Sequence, residues 1–297
     1  MRRLSCFALI LFAVSEGRAE RCEVCHPKEA QAHAGSAHAH ALQPVLDSHF
    51  YRALPGRPIG EARGGFLLDY RRAGAGLEVI AQRGPETARA RIEWVFGAGR
   101  RAETPVAVSG DTLLEHRISY YRAGERFDLT MGHRAGVSRS AVEALGMEQT
   151  AQTIGRCFGC HRTAGETGIQ CASCHAGARD HAEKGGPTLN PGRLEPDKLV
   201  ALCAACHRAE PEGDPEDPIN VRYQVARLQR SKCYQSGQMS CLTCHDPHTN
   251  ANADAGWYRS RCLACHAKQK ERGDCLGCHM RQAAITPRLV FTDHYIR

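Results

Sequence analysis

Apolar and polar positions alternate in three stretches of the chain. "GGFLLDYRRAGAGLEVIAQRG" (64–84) predicts a β-hairpin turning at "AGAG"; "RARIEWVFGAG" (89–99) and "LLEHRISYYRAGERFDLT" (113–130) continue the same period of two. "VFGAG" is not a nucleotide fingerprint, because no βαβ context follows it. Elsewhere the spacing turns helical. A helix is predicted from about Pro27 to Leu46, another over "SRSAVEALGMEQTAQTIG" (138–155), and short ones in "PDKLVALCAACH" (196–207) and "PINVRYQVARLQRSKC" (218–233). The remainder reads as loop.

One further apolar run, Leu4–Val14, is too short to span a bilayer and follows Arg2 and Arg3. With Gly17 and Ala19 at the positions a signal peptidase reads, residues 1–19 are expected to be a signal peptide. A retained anchor helix is the alternative. The expected mature protein starts near Glu20, is exported to the periplasm or beyond, and has no stable membrane insertion.

Composition changes this picture. The chain has eight Phe, two Trp and five Met against 29 Gly and 14 Pro, too little apolar bulk for an ordinary core of this length. It also has 16 cysteines, which in an exported chain would suggest disulfides. Their spacing says otherwise. Fourteen of them fall in seven copies of Cys-x-x-Cys-His. The first four are Cys22, Cys25 and His26; Cys157, Cys160 and His161; Cys171, Cys174 and His175; and Cys203, Cys206 and His207. The last three are Cys241, Cys244 and His245; Cys262, Cys265 and His266; and Cys275, Cys278 and His279. A zinc site imposes no rule on the next residue, and a redox dithiol needs one pair in a βαβ setting. Covalent haem attachment needs this pattern: each thiol becomes a thioether, and the adjacent imidazole binds the iron as the proximal ligand. Seven haem c groups are therefore expected, and they supply the apolar surface the side chains lack. Of the remaining two cysteines, Cys6 lies in the expected leader and Cys233 is left unpaired, as a free or dimer-forming thiol or a small buried residue.

The formal charge of +7 falls to about +5 without the leader. Haem propionates reverse its sign, so the basic composition is no argument for nucleic acid.

Nine histidines lie outside the motifs. His248, in "CHDPH", follows a turn at Asp246-Pro247 that aims it at a neighbouring haem rather than its own. His181 follows His175 on a similarly short tether, and His294 is the sole histidine after the last motif. His38 stands in "GSAHAHAL", with His40 facing elsewhere and His33 about a turn earlier. His248 and His181 are the expected distal ligands, and one or two of His33, His38 and His40 are expected to join them. His294, His116 and His133 are further candidates, and His49 reads as surface.

"GIQCASCHAGARDH", "LNPGRLEPDKLVALCAACH", "YQVARLQRSKCYQSGQMSCLTCHDPH" and "VFTDHYIR" resemble the doubled Cys-x-x-Cys-His multihaem domain often fused to tetratricopeptide repeats. That group is similar to the tetrahaem cytochrome that accepts electrons from hydroxylamine oxidoreductase. The resemblance covers roughly 22–297 and is strong only after 155. It implies distal roles for His248, His181 and His294, and its Ser-x-His-Ala pattern falls on Ser36–Ala39 and so favours His38, making His38, His181, His248 and His294 the expected distal set. The sequence departs from the group in "CHAGA", where Gly-Pro-Gly is usual, and in Arg281, where a Pro normally follows "CHM". It contains no tetratricopeptide repeats.

The expected fold is mostly irregular with short α-helices, a multihaem cytochrome c with a small β-rich insertion. Its expected parts are a haem-1 segment (20–50), a β-rich motif-free region (51–137) and a six-haem domain (138–297). In that domain the gaps between motifs are 9, 27, 33, 16 and 8 residues, which forces neighbouring haems together. The expected function is electron transfer along mostly bis-histidine haems, without catalysis. Its partners would be redox proteins, either other cytochromes or a quinol-oxidising membrane complex. The rival is a reductase of a nitrogen or sulfur oxyanion with one open-face haem. No motif carries Lys for His, and Arg162, Tyr223 and Tyr234 read as propionate partners or core rather than catalysts. A third reading is a polymerising haem wire.

Overall fold

The computed structural model describes residues 19–61, 64–109, 112–163, 166–269 and 273–297. The expected leader, 1–19, lies outside them except for its last residue. The chain begins with α1 (Ala19–Cys25) and α2 (Pro27–Ala34). α2 stops well short of Leu46 because of a contact distant in sequence. Asn250 takes the backbone groups a further turn would need: its amide donates to Gly35 O (3.1 Å) and its Oδ1 accepts from Ala37 N (2.9 Å).

The β region follows, as β1 (Leu42–Pro44), α3 (His49–Arg52), β2 (Ile59–Gly60), β3 (Leu67–Ala73), β4 (Gly76–Arg83), β5 (Glu86–Ile92), β6 (Trp94–Phe96), β7 (Ala102–Ser109), β8 (Thr112–His116), β9 (Ile118–Tyr121), β10 (Arg126–Leu129), α4 (Ala141–Leu145) and β11 (Gly146–Gln149). All pairings are antiparallel. β2-β3-β4-β5 form one sheet; β1-β6-β7-β8-β11 form a second, with β9 also on β7 and β10 on β9. The strands thus run from 42 to 149, wider at both ends than the 51–137 read from alternation.

The β3–β4 hairpin turns on Gly74 and Ala75, with Ala73 opposite Gly76 and Gly74 at φ +60°, a conformation glycine adopts without strain. α4 is capped by Ser140, which accepts from Glu143 N. The single helix expected over 138–155 breaks after Leu145. There Gly146 starts β11 against β8, where a Cβ would overlap Glu115 O.

One apolar cluster, including Val45, Phe50, Phe66, Leu68, Leu77, Val79, Val95, Tyr120 and Leu145, lies wholly in this region. Beside it, Arg117 donates to Glu61 (2.7 Å), both side chains almost fully buried. Glu61 also accepts from Ser138 Oγ (2.5 Å), Ser138 N (3.2 Å) and Phe66 N (3.1 Å).

From residue 150 on the architecture changes to α5 (Ala151–His161), α6 (Cys171–Cys174), α7 (Ala178–Lys184), α8 (Pro196–His207), α9 (Gln224–Leu228), α10 (Lys232–Gln235), α11 (Ala255–Cys265) and α12 (Cys275–His279). A hairpin of Gln282–Thr286 with Leu289–Thr292, in a stretch read as loop, closes the chain. Buried apolar residues are few here: Leu199, Val200, Val221, Tyr223, Val225, Ala226, Leu228 and Leu289. α5, α6, α11 and α12, all motif-bearing, bury none of their described side chains. The fold is therefore mixed and irregular, short helices with small antiparallel sheets. No described helix is long and apolar enough to cross a membrane.

The Glu61 cluster gives a pH test. Burial raises its pKa, but the hydrogen bonds from Ser138, Phe66 and Arg117 outweigh burial, so the carboxyl sits below its ordinary value. Its contribution to stability is full above the unfolded value of about 4.5 and is lost as pH falls through the lowered folded value. Glu61→Ala should cost about 3–5 kcal/mol, because it strands a buried guanidinium. Denaturant titrations of holoprotein should show that loss at pH 7 and a smaller one at pH 3; equal losses at both would contradict the assignment.

Candidate haem centres

Each motif occupies one helical turn, which sets the two thiols and the imidazole on neighbouring positions. In the last motif Asp274 caps α12 by accepting from Gly277 N, and in the fifth Ser240 and Thr243 form a capping box around Cys241–Thr243. All fifteen described cysteines are free, and none is fully buried. The second cysteine is the more open one in four motifs: Cys25, Cys206, Cys265 and Cys278 are exposed, whereas Cys22, Cys203, Cys262 and Cys275 are half-buried. Cys278 is thus exposed on α12, so the polypeptide alone does not enclose the attachment site expected there. Apolar neighbours share this exposure: Val24 in the first motif is 79% exposed and Trp257 on α11 is 37% exposed.

The histidines from different motifs and segments meet in pairs. His38 faces His207, His248 faces His175, and His294 faces His245, each with ring centroids 6.1 Å apart. A metal–imidazole bond of about 2.0–2.1 Å on each side, plus about 1.1 Å from nitrogen to ring centre, predicts about 6.2 Å for two rings sharing one metal. Each pair joins a motif histidine to one outside the motifs. His248 stands opposite His175 of another motif, not opposite His245 three residues before it.

Ring orientation follows a second pattern. His38 Nδ1 lies 3.0 Å from Pro247 O, His175 Nδ1 3.1 Å from Leu189 O, and His294 Nδ1 3.1 Å from Thr292 O. His207 Nδ1 is anchored on Gln224 Oε1 (3.2 Å) and His248 Nδ1 on Asp246 Oδ1 (2.9 Å). His161 Nδ1 bonds Ala41 O (2.7 Å), His181 Nδ1 bonds Gly186 O (2.7 Å), and His279 Nδ1 bonds Arg297 O. An Nδ1–H held by an acceptor fixes the ring and leaves the Nε2 lone pair for a metal. Burial lowers the pKa of His161, His207 and His245, and takes His294 to about 4, so these rings are neutral at pH 7.

His294 is positioned by its neighbour. Arg227 clamps Asp293 in a bidentate pair (2.8 and 2.6 Å), and Ser231 Oγ donates to His294 O (3.2 Å). Different motifs also touch. Cys160 Sγ of the second motif donates to Ala205 O (3.8 Å), between the two cysteines of the fourth.

Other sequence candidates lie elsewhere. His116 is fully buried between β8 and its neighbours; its Nδ1 donates to Leu145 O and its Nε2 accepts from Tyr70 OH (2.7 Å). Both nitrogens are engaged, and burial lowers its pKa to about 4. It is a core histidine. His133 is likewise in the β region, its side chain 3% exposed and Nε2 3.5 Å from Glu115 Oε2, with no face open to a haem. His40 bonds Ala34 O through Nε2, the nitrogen a ligand would need (2.8 Å). His33 is partly buried near His38 and His248 and bonds the backbone of Ile169. At this spacing no second imidazole faces His26, His161, His266 or His279.

His49, read as surface, has the arrangement the others share. Its Nδ1 is 3.1 Å from Glu103, a fully buried carboxylate that also accepts from Phe50 N (2.6 Å) and Gln43 Nε2 (3.2 Å). The carboxylate comes from β7, far along the chain, so spacing around His49 contains no signal of it. Tyr223 accepts from Arg222 Nη2 (2.7 Å) and packs under Arg208, and Tyr234 donates to Asp197 (2.8 Å). Arg162 has no described side chain. Among the described residues no three His, Cys, Asp or Glu side chains converge as a protein-only metal site.

The residues present therefore fit haem on three counts: an iron-sized gap between ring pairs, Nδ1-anchored imidazoles, and uncovered thiols on helices with uncovered apolar faces.

No family model and no curated protein matches this chain. Among solved structures, the outer cell wall cytochrome OcwA is similar over 94% of this chain and 78% of its own, with a TM-score of 0.54 and 13% identity. At that identity the likeness is one of fold.

The crossed geometry at His248 generates a test. His248→Ala should leave the number of bound haems unchanged. It should convert the centre at His175, and not that at His245, from low-spin to high-spin or water-ligated iron and raise its potential. Electron paramagnetic resonance with a redox titration reads both; spectra matching the wild type would make His248 a surface residue.

Proposed function

We propose that the chain is an exported electron-transfer protein that holds seven covalently attached haem c groups, three of them between the paired histidines. The observation that carries this reading is the set of three histidine pairs at 6.1 Å, each joining a motif to a distant segment. Haem supplies one-electron exchange at its iron. The side chains hold it: two thiols per motif as thioethers, and two Nε2 atoms at each paired site. With both faces taken by imidazole, these sites leave no position for a substrate.

The proteins that deliver and remove electrons are, in this reading, other cytochromes or a quinol-oxidising membrane complex. Export is supported by the leader-like N-terminus and by the cell-wall location in the neighbour's name. The second reading, a nitrogen- or sulfur-oxyanion reductase, has one observation in its favour: the four motif histidines without a facing ring, any of which could leave an open face.

Two measurements test the proposal together. Intact mass after maturation with a haem-attachment system should exceed the apoprotein by seven haem masses. Electron paramagnetic resonance of the oxidised protein should be dominated by low-spin ferric signals. Mainly high-spin iron would replace the carrier by the reductase, and free thiols at any motif would remove that site.

A further inference from the structure

A cavity with no attachment motif in its wall measures about 280 Å³. It lies where the turn after α2, the start of α3, the loop between β6 and β7 and the end of β9 meet. Two guanidiniums, Arg100 and Arg122, and two imidazoles, His40 and His49, line it together with Asn250; the rest of the wall is glycine, alanine and serine. No described carboxylate lines it. A macrocycle face needs apolar cover, and nothing apolar larger than alanine stands here. By contrast, a cavity of about 290 Å³ between α11 and α12 has Cys275 and Leu276 in its wall and belongs with the last motif.

The fold aims one imidazole into this space. His49 opens α3 behind its cap Ser48, which accepts from Tyr51 N. Its Nδ1–H donates to Glu103 Oε1 (3.1 Å), a carboxylate that is 0% exposed. Phe50 N and Gln43 Nε2 donate to the same carboxylate, which fixes it in place. The ring is thereby held with Nε2 as its free edge, and no described residue bonds that nitrogen. Gly99 (φ +68°) lets the loop pass against this pair, because a Cβ there would overlap His49 Nδ1. Arg122 N donates to Arg101 O (2.9 Å), which sets Arg100 and Arg122 on adjoining backbone. Arg122 also pairs with Glu125 (2.9 Å), whereas Arg100 is exposed and has no ion pair among the described residues.

An imidazole aimed by a buried carboxylate beside two guanidiniums is a receptor for an oxyanion. Arginine presents parallel N–H donors to a carboxylate or phosphate, and Nε2–H adds another. With a proton on each nitrogen, the His49 ring is balanced by Glu103 on one edge and by the anion on the other. The volume is below the roughly 300–1,000 Å³ of pockets that enclose drug-sized ligands, so the group bound is small. We infer that this cavity binds a small oxyanion, a carboxylate or phosphate group, through Arg100, Arg122 and His49, with Glu103 as the positioning residue. The group is either a free anion from solution or a propionate of a bound haem; only the second case rests on the haem reading above.

Calorimetric titration of holoprotein with inorganic phosphate separates the two sources. A free-anion site gives saturable binding that Arg100→Gln weakens about ten-fold or more and His49→Gln several-fold. Arg57→Gln, at an exposed position outside the cavity, leaves that binding unchanged. A site already filled by a propionate gives no phosphate binding. Arg100→Gln then lowers one midpoint in a redox titration of holoprotein, because losing a cation beside the propionate favours ferric iron, and Arg57→Gln does not. Absence of phosphate binding with midpoints unmoved by Arg100→Gln would overturn the inference. Phosphate binding that survives both Arg100→Gln and His49→Gln would overturn it as well. Haem content, read by intact mass on the same samples, is a separate result: a shortfall there counts against the haem reading and leaves the phosphate titration as it stands.

Discussion

If the paired imidazoles hold iron as proposed, they are the interaction on which the fold after residue 150 depends. Few apolar side chains are buried there, and the motif-bearing turns have bare faces. Segments with so little mutual burial cannot offset the entropy of ordering about one residue in two as loop. In that reading the three ring pairs act as cross-links instead, tying the turn after α2 to α8, α6 to the turn after the fifth motif, and that motif to the segment after the last strand. The buried Arg227–Asp293 pair is subordinate to this scheme. Its bidentate geometry holds the residue before His294 and so aims the ring.

The β region obeys a different rule. It has its own apolar cluster and a buried ion pair, and its strands pair with one another in two antiparallel sheets. Nothing in its interior needs a cofactor. It still touches the motif-bearing part where His161 lies against Phe96, with ring centroids 4.7 Å apart, and shares the Ala41 carbonyl with Gly97 N. A self-supporting body is thereby fastened to one that is not.

How far the sequence could be read differs between these parts for physical reasons. The attachment motifs are local, because two thioethers and one ligand must reach a single ring, and so spacing alone reveals them. The alternating strands were legible too, with the turn at Gly74–Ala75. Helix ends were not. α2 is stopped by Asn250, and the helix expected after Ser138 is broken where Gly146 packs under Glu115, both effects of residues distant in sequence. His116 and His133 were open candidates because a histidine on a strand looks the same whether its partner is iron, Tyr70 or Glu115. The anchoring of His49 by Glu103 left no trace in local spacing. That His248 stands opposite His175 could be guessed as "another site", but which site is a property of the folded chain.

The crossed pairing also orders events in time. His38 leaves the ribosome early, yet its partner His207 comes much later, and the partner of His245 lies within the last four of 297 residues. By contrast, every strand of the two sheets has been made by residue 149. If the chain is exported and loaded with haem as proposed, the β region can close while the thiols after it remain on an open chain, within reach of the attaching machinery. The last ligand to arrive then acts as a latch, closing the fifth site when the C-terminal strand docks. A chain truncated by a few residues would have every thioether in place and that latch missing.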